Sequence, residues 1–246
     1  MKTLVAVCGM AVALHATAGS DACQVQSGPR SNVLVELYTS EGCSSCPPAD
    51  AWLSRLDQRY PADRVVPLAL HVDYWDSLGW RDPYAQPACS DRQRQAASRA
   101  RESTVYTPQI RVQGEATGLG QDPLQLVAQA LARPSSAMLS LSAKAGPHAL
   151  ELNIDGSAPG RNRLYLAVTE RGLQSEVLRG ENAGRRLHHD HVARSLQLLG
   201  MVEHGHFTRQ LTIPLLRPQQ ALVAFLQADN DNRIVQAVSL PACGQP

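Results

Sequence analysis

Two cysteines separated by two residues, Cys43 and Cys46, give the sequence its clearest chemical signal. Residues 33–38, before them, form an apolar run with the length of a buried strand. Pro47 and Pro48, after them, suit the first turn of a helix. The pattern therefore predicts that both cysteines lie at the amino end of a helix, where unpaired N–H groups and the helix dipole favour the Cys43 thiolate. That arrangement is typical of thiol–disulfide exchange.

The same spacing also occurs in zinc knuckles and in structural disulfides. A zinc site needs a second pair of ligands, and the sequence offers only Cys89 and distant histidines, so we predict neither a metal ion nor another cofactor. A purely structural Cys43–Cys46 bond is disfavoured, because closing so short a loop removes little entropy from the unfolded chain. The hydroxyl groups of Ser44 and Ser45 are expected to stabilise the thiolate.

The amino-terminal residues and the overall charge restrict the location and the partners of the chain. Residues 1–18 combine Lys2, an apolar stretch and small residues, which is typical of a secretory signal peptide. We therefore expect an exported protein, periplasmic or secreted, that does not span a membrane. The net charge is +1 without a basic run, so nucleic acid is not a predicted partner.

Three further cysteines remain in the expected mature chain. Cys23 and Cys243 lie near the two ends, and chain ends are often close together, so we predict a structural disulfide between them. The alternative is that both are free. Cys89 is expected to be a buried, unreactive thiol, with a role as a third redox group as the alternative.

Hydrophobic patterns divide the mature chain into two parts. Residues 31–133 alternate between predicted strands and helices, with an insertion at about 73–101, and residues 137–243 contain short strands separated by turns. The first part has the order of an α/β domain, and the second is typical of an antiparallel sandwich. The predicted strands are residues 33–38, 65–72, 110–112, 116–117, 138–143, 150–154, 164–168, 207–213 and 222–226; the predicted helices follow Pro47, cover about 90–101 and begin at Asp122.

Five segments together resemble one protein family over nearly the whole mature chain. They are VLVELYTSEGCSSCPPAD at 33–50, HVDYWDSLGWRDPY at 71–84, VYTPQ at 105–109, ENAGRRLHHDHVAR at 181–194 and VAFLQ at 223–227. They are similar to the secreted proteins called domain of unknown function 1223. The resemblance implies an α/β thioredoxin-like N-terminal domain followed by an all-β sandwich-like C-terminal domain.

The same resemblance implies roles for four residues. In the wider thioredoxin superfamily the first cysteine attacks and the second resolves, which gives these roles to Cys43 and Cys46. Thr107 and Pro108 would position an extended substrate, with a cis peptide bond between them. The chain differs from thioredoxin in having two serines between the cysteines and a long insertion around Trp75.

Two further groups of polar residues are functional candidates. Asp73 and Asp76 follow a predicted strand and could line the cleft of the thiols together with Trp75 and Trp80, but packing within the insertion is the favoured interpretation. The run HHDH at 188–191 suggests metal ligands, yet adjacent side chains point in different directions. A structural role is therefore preferred for His188, His189 and His191.

The sequence thus favours an exported thiol–disulfide oxidoreductase that acts on a protein or small-thiol disulfide. The C-terminal part would recognise a protein partner. The alternative is a non-enzymatic binding protein in which the two cysteines are structural or hold a soft metal such as Cu(I). A peroxide-consuming thiol enzyme is disfavoured, since its usual Thr- or Pro-flanked cysteine with a nearby arginine is absent from the sequence.

Overall fold

The computed structural model describes residues 22–118 and 120–242 of the chain. Strands dominate it, and the helices are grouped in its first half. The strands are β1 Ala22–Gln26, β2 Val33–Thr39, β3 Val65–His71, β4 Gln109–Val112, β5 Glu115–Ala116, β6 Met138–Ala145, β7 Ala149–Ala158, β8 Asn162–Glu170, β9 Leu173–Glu176, β10 Arg186–His189, β11 Val192–Val202, β12 Gly205–Pro214, β13 Gln220–Ala228 and β14 Ile234–Pro241. The helices are α1 Pro47–Ser54, α2 Leu56–Arg59, α3 Pro87–Ala100 and α4 Pro123–Ala132.

The parallel pair β2 and β3 forms the centre of the first half. Every residue of both strands is buried, because helices cover both faces, which explains their continuous apolar sequence. Val33, Val35 and Leu37 point towards α1, α2 and α4, whereas Leu34 and Tyr38 point towards α3. The predicted strands at 33–38 and 65–72 are confirmed, as is the helix that begins at Asp122, whose side chain accepts a hydrogen bond from the Leu124 N–H.

The predicted fold class is wrong. The chain is not an α/β thioredoxin-like domain followed by a separate sandwich: it is mostly β, with 45% strand and 18% helix. One mixed sheet of eight strands has the order β14-β13-β8-β11-β3-β2-β4-β5 and so combines strands from both halves of the chain. The junction is β11, which pairs with β8 along its length and meets β3 at Val192 and Ala69.

A second sheet, with the order β1-β6-β7-β12, packs on the large one. Leu164, Leu222 and Leu226 of the large sheet contact it. Side chains of the opposite face, among them Phe225, pack together with Cys89 of α3. Most residues of β13 and β14 are therefore buried, as in β2 and β3, whereas β11 is partly exposed.

Several predictions concern residues beyond the described ones. The signal peptide at 1–18 lies outside them, and so does Cys243, so the predicted Cys23–Cys243 disulfide is not described. The division into parts at 31–133 and 137–243 stays a prediction. Within the described ranges, no helix has the length and apolar character needed to cross a membrane.

Candidate functional site

Cys43 and Cys46 form a disulfide in the turn between β2 and α1. Their Cα atoms are 5.4 Å apart. Cys46 is the residue that precedes the helix, and its carbonyl accepts the N–H groups of Ala49 and Asp50 at 2.9 and 3.1 Å. The strand-to-helix position expected from the sequence is therefore the observed one.

The disulfide is enclosed, which differs from the accessible Cys43 sulfur that attack on a substrate requires. Cys43 is 1% exposed and Cys46 is 0% exposed. Ser44 and Ser45, between them, are exposed, and the Ser45 hydroxyl lies 3.5 Å from the Cys43 sulfur. The surface of this turn is thus formed by the serines, with the sulfurs beneath.

The backbone amides expected to stabilise a Cys43 thiolate have other partners. The N–H groups of Cys43 and Cys46 donate to the carbonyls of Ser40 and Cys43 at 3.1 and 3.2 Å. The Ser44 N–H donates to Glu181 at 2.9 Å, and proline at the first two helical positions supplies no N–H. The N–H groups of Cys43, Ser44 and Cys46, which we expected from the sequence to be unpaired, are therefore paired in the disulfide form.

A loop at residues 177–185, between β9 and β10, is hydrogen-bonded along the cysteine turn. The Asn182 side chain, 1% exposed, donates to the carbonyls of Glu41 and Cys43 at 2.8 and 3.0 Å. The exposed Glu181 carboxylate accepts hydrogen bonds from Ser44, and these bonds from Ser44 lower the pKa of the Glu181 carboxyl. We call residues 177–185 the covering loop.

A buried group of carboxylates and histidines adjoins the disulfide. At the end of β3, His71 Nδ1 lies 2.7 Å from Asp82 Oδ2. At the end of β10, His189 Nε2 lies 3.1 Å from Glu41 Oε1. The two imidazole rings are nearly perpendicular, with centroids 4.9 Å apart, and each contacts Tyr84 edge-on. Each histidine therefore has one ring nitrogen bound to a carboxylate.

The remaining ring nitrogens face the carboxylate of Asp50. His71 Nε2 and His189 Nδ1 are buried without a hydrogen-bond partner. Asp50 Oδ2 accepts from Thr39 at 3.2 Å and is 3.9 Å from His189 Nδ1. Donor atoms of Asp50, His71 and His189 all lie within 4.8 Å of one another. Among the described residues, these three are the set that could hold a metal ion.

Burial and mutual attraction shift the pKa values in this group. Burial raises the pKa of Asp50, although His71 and His189 oppose the shift. Burial alone would lower the pKa of His71, but the carboxylates of Asp82, Asp50 and Glu41 together outweigh it, so the pKa of His71 is raised. Burial likewise opposes ionisation of Asp82, yet His71 lowers the pKa of that carboxyl.

The three histidines of the HHDH run at 188–191 lie in three different environments. His188 is exposed beside Asp190, His189 enters the buried group, and His191 Nε2 lies 3.2 Å from Asp57. The side chains of this run do point in different directions, as expected, so its histidines do not meet at one ion. The structure instead groups His189 with residues from distant parts of the chain.

Of the other candidates, Trp80 reaches this buried group, because its indole N–H donates to Glu41 Oε2 at 2.8 Å, whereas Thr107, Pro108, Asp73 and Asp76 are not members of it. The Thr107–Pro108 peptide bond is cis, as the resemblance implies; both residues are half-buried, and their role in holding substrate stays a prediction. Asp73 and Asp76 accept hydrogen bonds from Ser90 and from the Asp82 N–H. These partners lie in the insertion and in α3, in agreement with a packing role.

Sequence reasoning missed Glu41, Asp50, Asp82 and Asn182 as parts of the site. Glu41 lies two residues before Cys43, and Asp50 lies four residues after Cys46; they are 1% and 6% exposed. An acidic residue on each side of the cysteine turn was the available local signal. For Asp82 and Asn182 no local pattern indicated burial.

Comparisons with known proteins agree with this fold. The crystal structure of protein AGR_C_4864 from Agrobacterium tumefaciens is similar at 28% identity and a TM-score of 0.69, covering 89% of this chain and 98% of that one. HBP35 of Porphyromonas gingivalis is similar in fold alone, at 16% identity and a TM-score of 0.64, covering 87% and 76%. No curated protein matches the sequence. The model of a family described as protein of unknown function (DUF1223) matches residues 34–227, and the chain therefore belongs to that family.

Proposed function

We propose that the chain is an exported thiol–disulfide oxidoreductase that uses Cys43 and Cys46, and that its disulfide reacts when the covering loop moves away. The observation that carries this proposal is the Cys43–Cys46 disulfide itself, which closes a separation of three residues. A loop this short gains little stability from cross-linking. A mainly structural purpose is therefore a weak explanation for the bond.

The exchange follows ordinary thiol–disulfide chemistry. A substrate thiolate attacks the Cys43 sulfur, the Cys43–Cys46 bond breaks, and Cys46 leaves as a thiolate. A second substrate thiolate then attacks the mixed disulfide, so that Cys43 also leaves as a thiolate. The substrate gains a disulfide and loses two electrons, which the protein holds as a dithiol. The reverse sequence reduces a substrate disulfide.

Two features support exchange through an opened state. The serines that separate the sulfurs are already exposed. The covering loop is hydrogen-bonded to the turn through two side chains: the Asn182 amide donates to the turn, and the Glu181 carboxylate accepts from it. Local opening with a cost of a few kcal/mol is common for segments held in this way.

The test is insulin reduction, together with trapping of mixed disulfides. Wild-type protein should promote reduction of insulin by dithiothreitol, and Cys43→Ser should abolish this effect. Cys46→Ser should accumulate a mixed disulfide at Cys43, whereas Cys89→Ser should behave as wild type. Activity that persists in both Cys43→Ser and Cys46→Ser would remove the proposal.

Burial of both sulfurs favours a second candidate, a binding protein whose disulfide is structural. In that case the bond would resist reductants until the whole protein unfolds. The rate of reduction in the folded state separates the two candidates.

A further inference from the structure

We propose that Asp50, His71 and His189 form a binding site for a divalent first-row transition metal ion, with Zn²⁺ as the probe. The three residues come from α1, β3 and β10, and they meet in the interior beside the disulfide. This inference is independent of the proposed exchange, because it involves no cysteine.

The hydrogen bonds to Asp82 and Glu41 use one ring nitrogen of each histidine, and the other nitrogen of each ring lies near Asp50. A carboxylate accepts hydrogen bonds and does not donate them, so in the neutral form that binds a metal ion, His71 carries its one proton on Nδ1, towards Asp82, and His189 carries its one proton on Nε2, towards Glu41. The bare nitrogens, His71 Nε2 and His189 Nδ1, have no other partner. Together with Asp50 Oδ2 they form a buried set of acceptors, which is the environment that a cation completes.

The hydrogen bond made by the second ring nitrogen of each histidine is of the kind that metal-binding histidines make. Ligating histidines usually donate their second N–H to a carboxylate or a carbonyl, which sets the ring orientation. Here both partners are carboxylates, and both are held in turn. Asp82 Oδ2 also accepts the Glu41 N–H at 2.9 Å, and Glu41 Oε2 accepts the Trp80 indole N–H at 2.8 Å. The rings are therefore oriented before any ion binds.

The distances fit an ion after a small contraction. A tetrahedral zinc ion with ligands at about 2.0–2.1 Å holds its donors about 3.3 Å apart. The separation of His189 Nδ1 and Asp50 Oδ2 is 3.9 Å, and no pair of the three donor atoms exceeds 4.8 Å. The donors must therefore approach one another by at most about 1.5 Å.

The donor set favours zinc or a similar ion over calcium or magnesium. Imidazole nitrogen suits zinc, copper, iron and nickel, whereas calcium and magnesium prefer sites made wholly of oxygen. Two histidines and one carboxylate leave a fourth position open in a tetrahedral site. The three side chains are 6%, 0% and 2% exposed for Asp50, His71 and His189, so the ion is enclosed and joins the β9–β10 hairpin to α1.

Calorimetric titration with Zn²⁺ tests the site, using oxidised protein first dialysed against a chelator. Wild type should bind one ion per chain, and His189→Gln should lose that binding. His188→Gln is the matched control: it changes the adjacent histidine, which is exposed beside Asp190, and should bind like wild type. Asp82→Asn, which alters the support of His71, should weaken binding about 10–100-fold.

Two results would overturn the proposal. The first is absence of one-to-one binding in wild type, and the second is an equal loss of binding in His188→Gln and His189→Gln. If His189→Gln fails to fold by circular dichroism, wild-type protein loaded with Co²⁺ decides the matter. Intense visible bands of a four-coordinate ion support the site, and the weak spectrum of the hydrated ion contradicts it.

Discussion

Replacing Asn182 by alanine should speed reduction of the Cys43–Cys46 disulfide in folded protein. The Asn182 side chain is buried and donates two hydrogen bonds to backbone carbonyls on the cysteine turn, those of Glu41 and Cys43. Alanine leaves both carbonyls unpaired while the covering loop is closed. Water can satisfy them once the loop has moved, so the substitution favours the opened state.

The expected size of the effect follows from these two bonds. Each contributes about 0.5–1.5 kcal/mol net, so together they are worth about 2 kcal/mol. With about 1.4 kcal/mol for each factor of ten, the opened state becomes about 30-fold more populated. When reclosing is faster than reduction, the rate with dithiothreitol rises by the same factor, about 30-fold.

Asn162→Ala is the matched control for this experiment. Asn162 is also 1% exposed, and its side chain donates to the carbonyls of Pro159 and Gly160 at 3.0 and 3.3 Å. The Asn162→Ala variant therefore loses the same kind of hydrogen bonds, but at a place away from the cysteine turn. Reduction is followed by alkylation and mass spectrometry below the unfolding transition. Equal acceleration by Asn162→Ala and Asn182→Ala would refute local opening, because reduction would then follow global unfolding.

Two further outcomes concern buried groups of α3. Burial raises the pKa of the Cys89 thiol to about 12, so at pH 8 only about one thiol in ten thousand is ionised. Cys89 should therefore resist alkylation by iodoacetamide in folded protein and react in urea, as read by peptide mapping. Arg92→Met should lower the free energy of unfolding in urea by about 3–5 kcal/mol, since it leaves the buried Glu36 carboxylate, now 2.6 Å from the Arg92 guanidinium, without its charged partner. Arg94→Met, on an exposed face of the same helix, should change it by less than about 0.5 kcal/mol. Rapid labelling of native Cys89, or equal losses in the two arginine variants, would contradict these expectations.

The fold could be predicted from the sequence only where the signal was local. β2 and β3 are continuous apolar runs, and the start of α4 has a capping aspartate followed by proline. β11 gives no such signal, because irregularities after Ala193 and Leu198 break the alternation of its side chains. Since β11 is the strand that joins the two halves of the large sheet, missing it led to the wrong fold class.

The site was predictable to a similar extent. Cys43 and Cys46 identify themselves by their spacing and by the strand and helix around them. Burial of their sulfurs was not predictable, because the contacts of Asn182 come from a remote part of the chain. The group of Asp50, His71 and His189 also needs three distant elements to meet, and within one segment each of these residues resembles an ordinary cap or core histidine.

The reduction potential of the Cys43–Cys46 disulfide in folded protein tests the proposed exchange most directly. Protein is equilibrated in redox buffers of stated potential, and the alkylated fraction of both cysteines is read by mass spectrometry. Because the neighbouring amides have other partners, the dithiol lacks strong stabilisation, and we predict a potential between about −270 and −180 mV, the range from thioredoxin to protein disulfide isomerase. A reduction potential below about −300 mV is typical of a structural disulfide, and this result would contradict the proposed exchange.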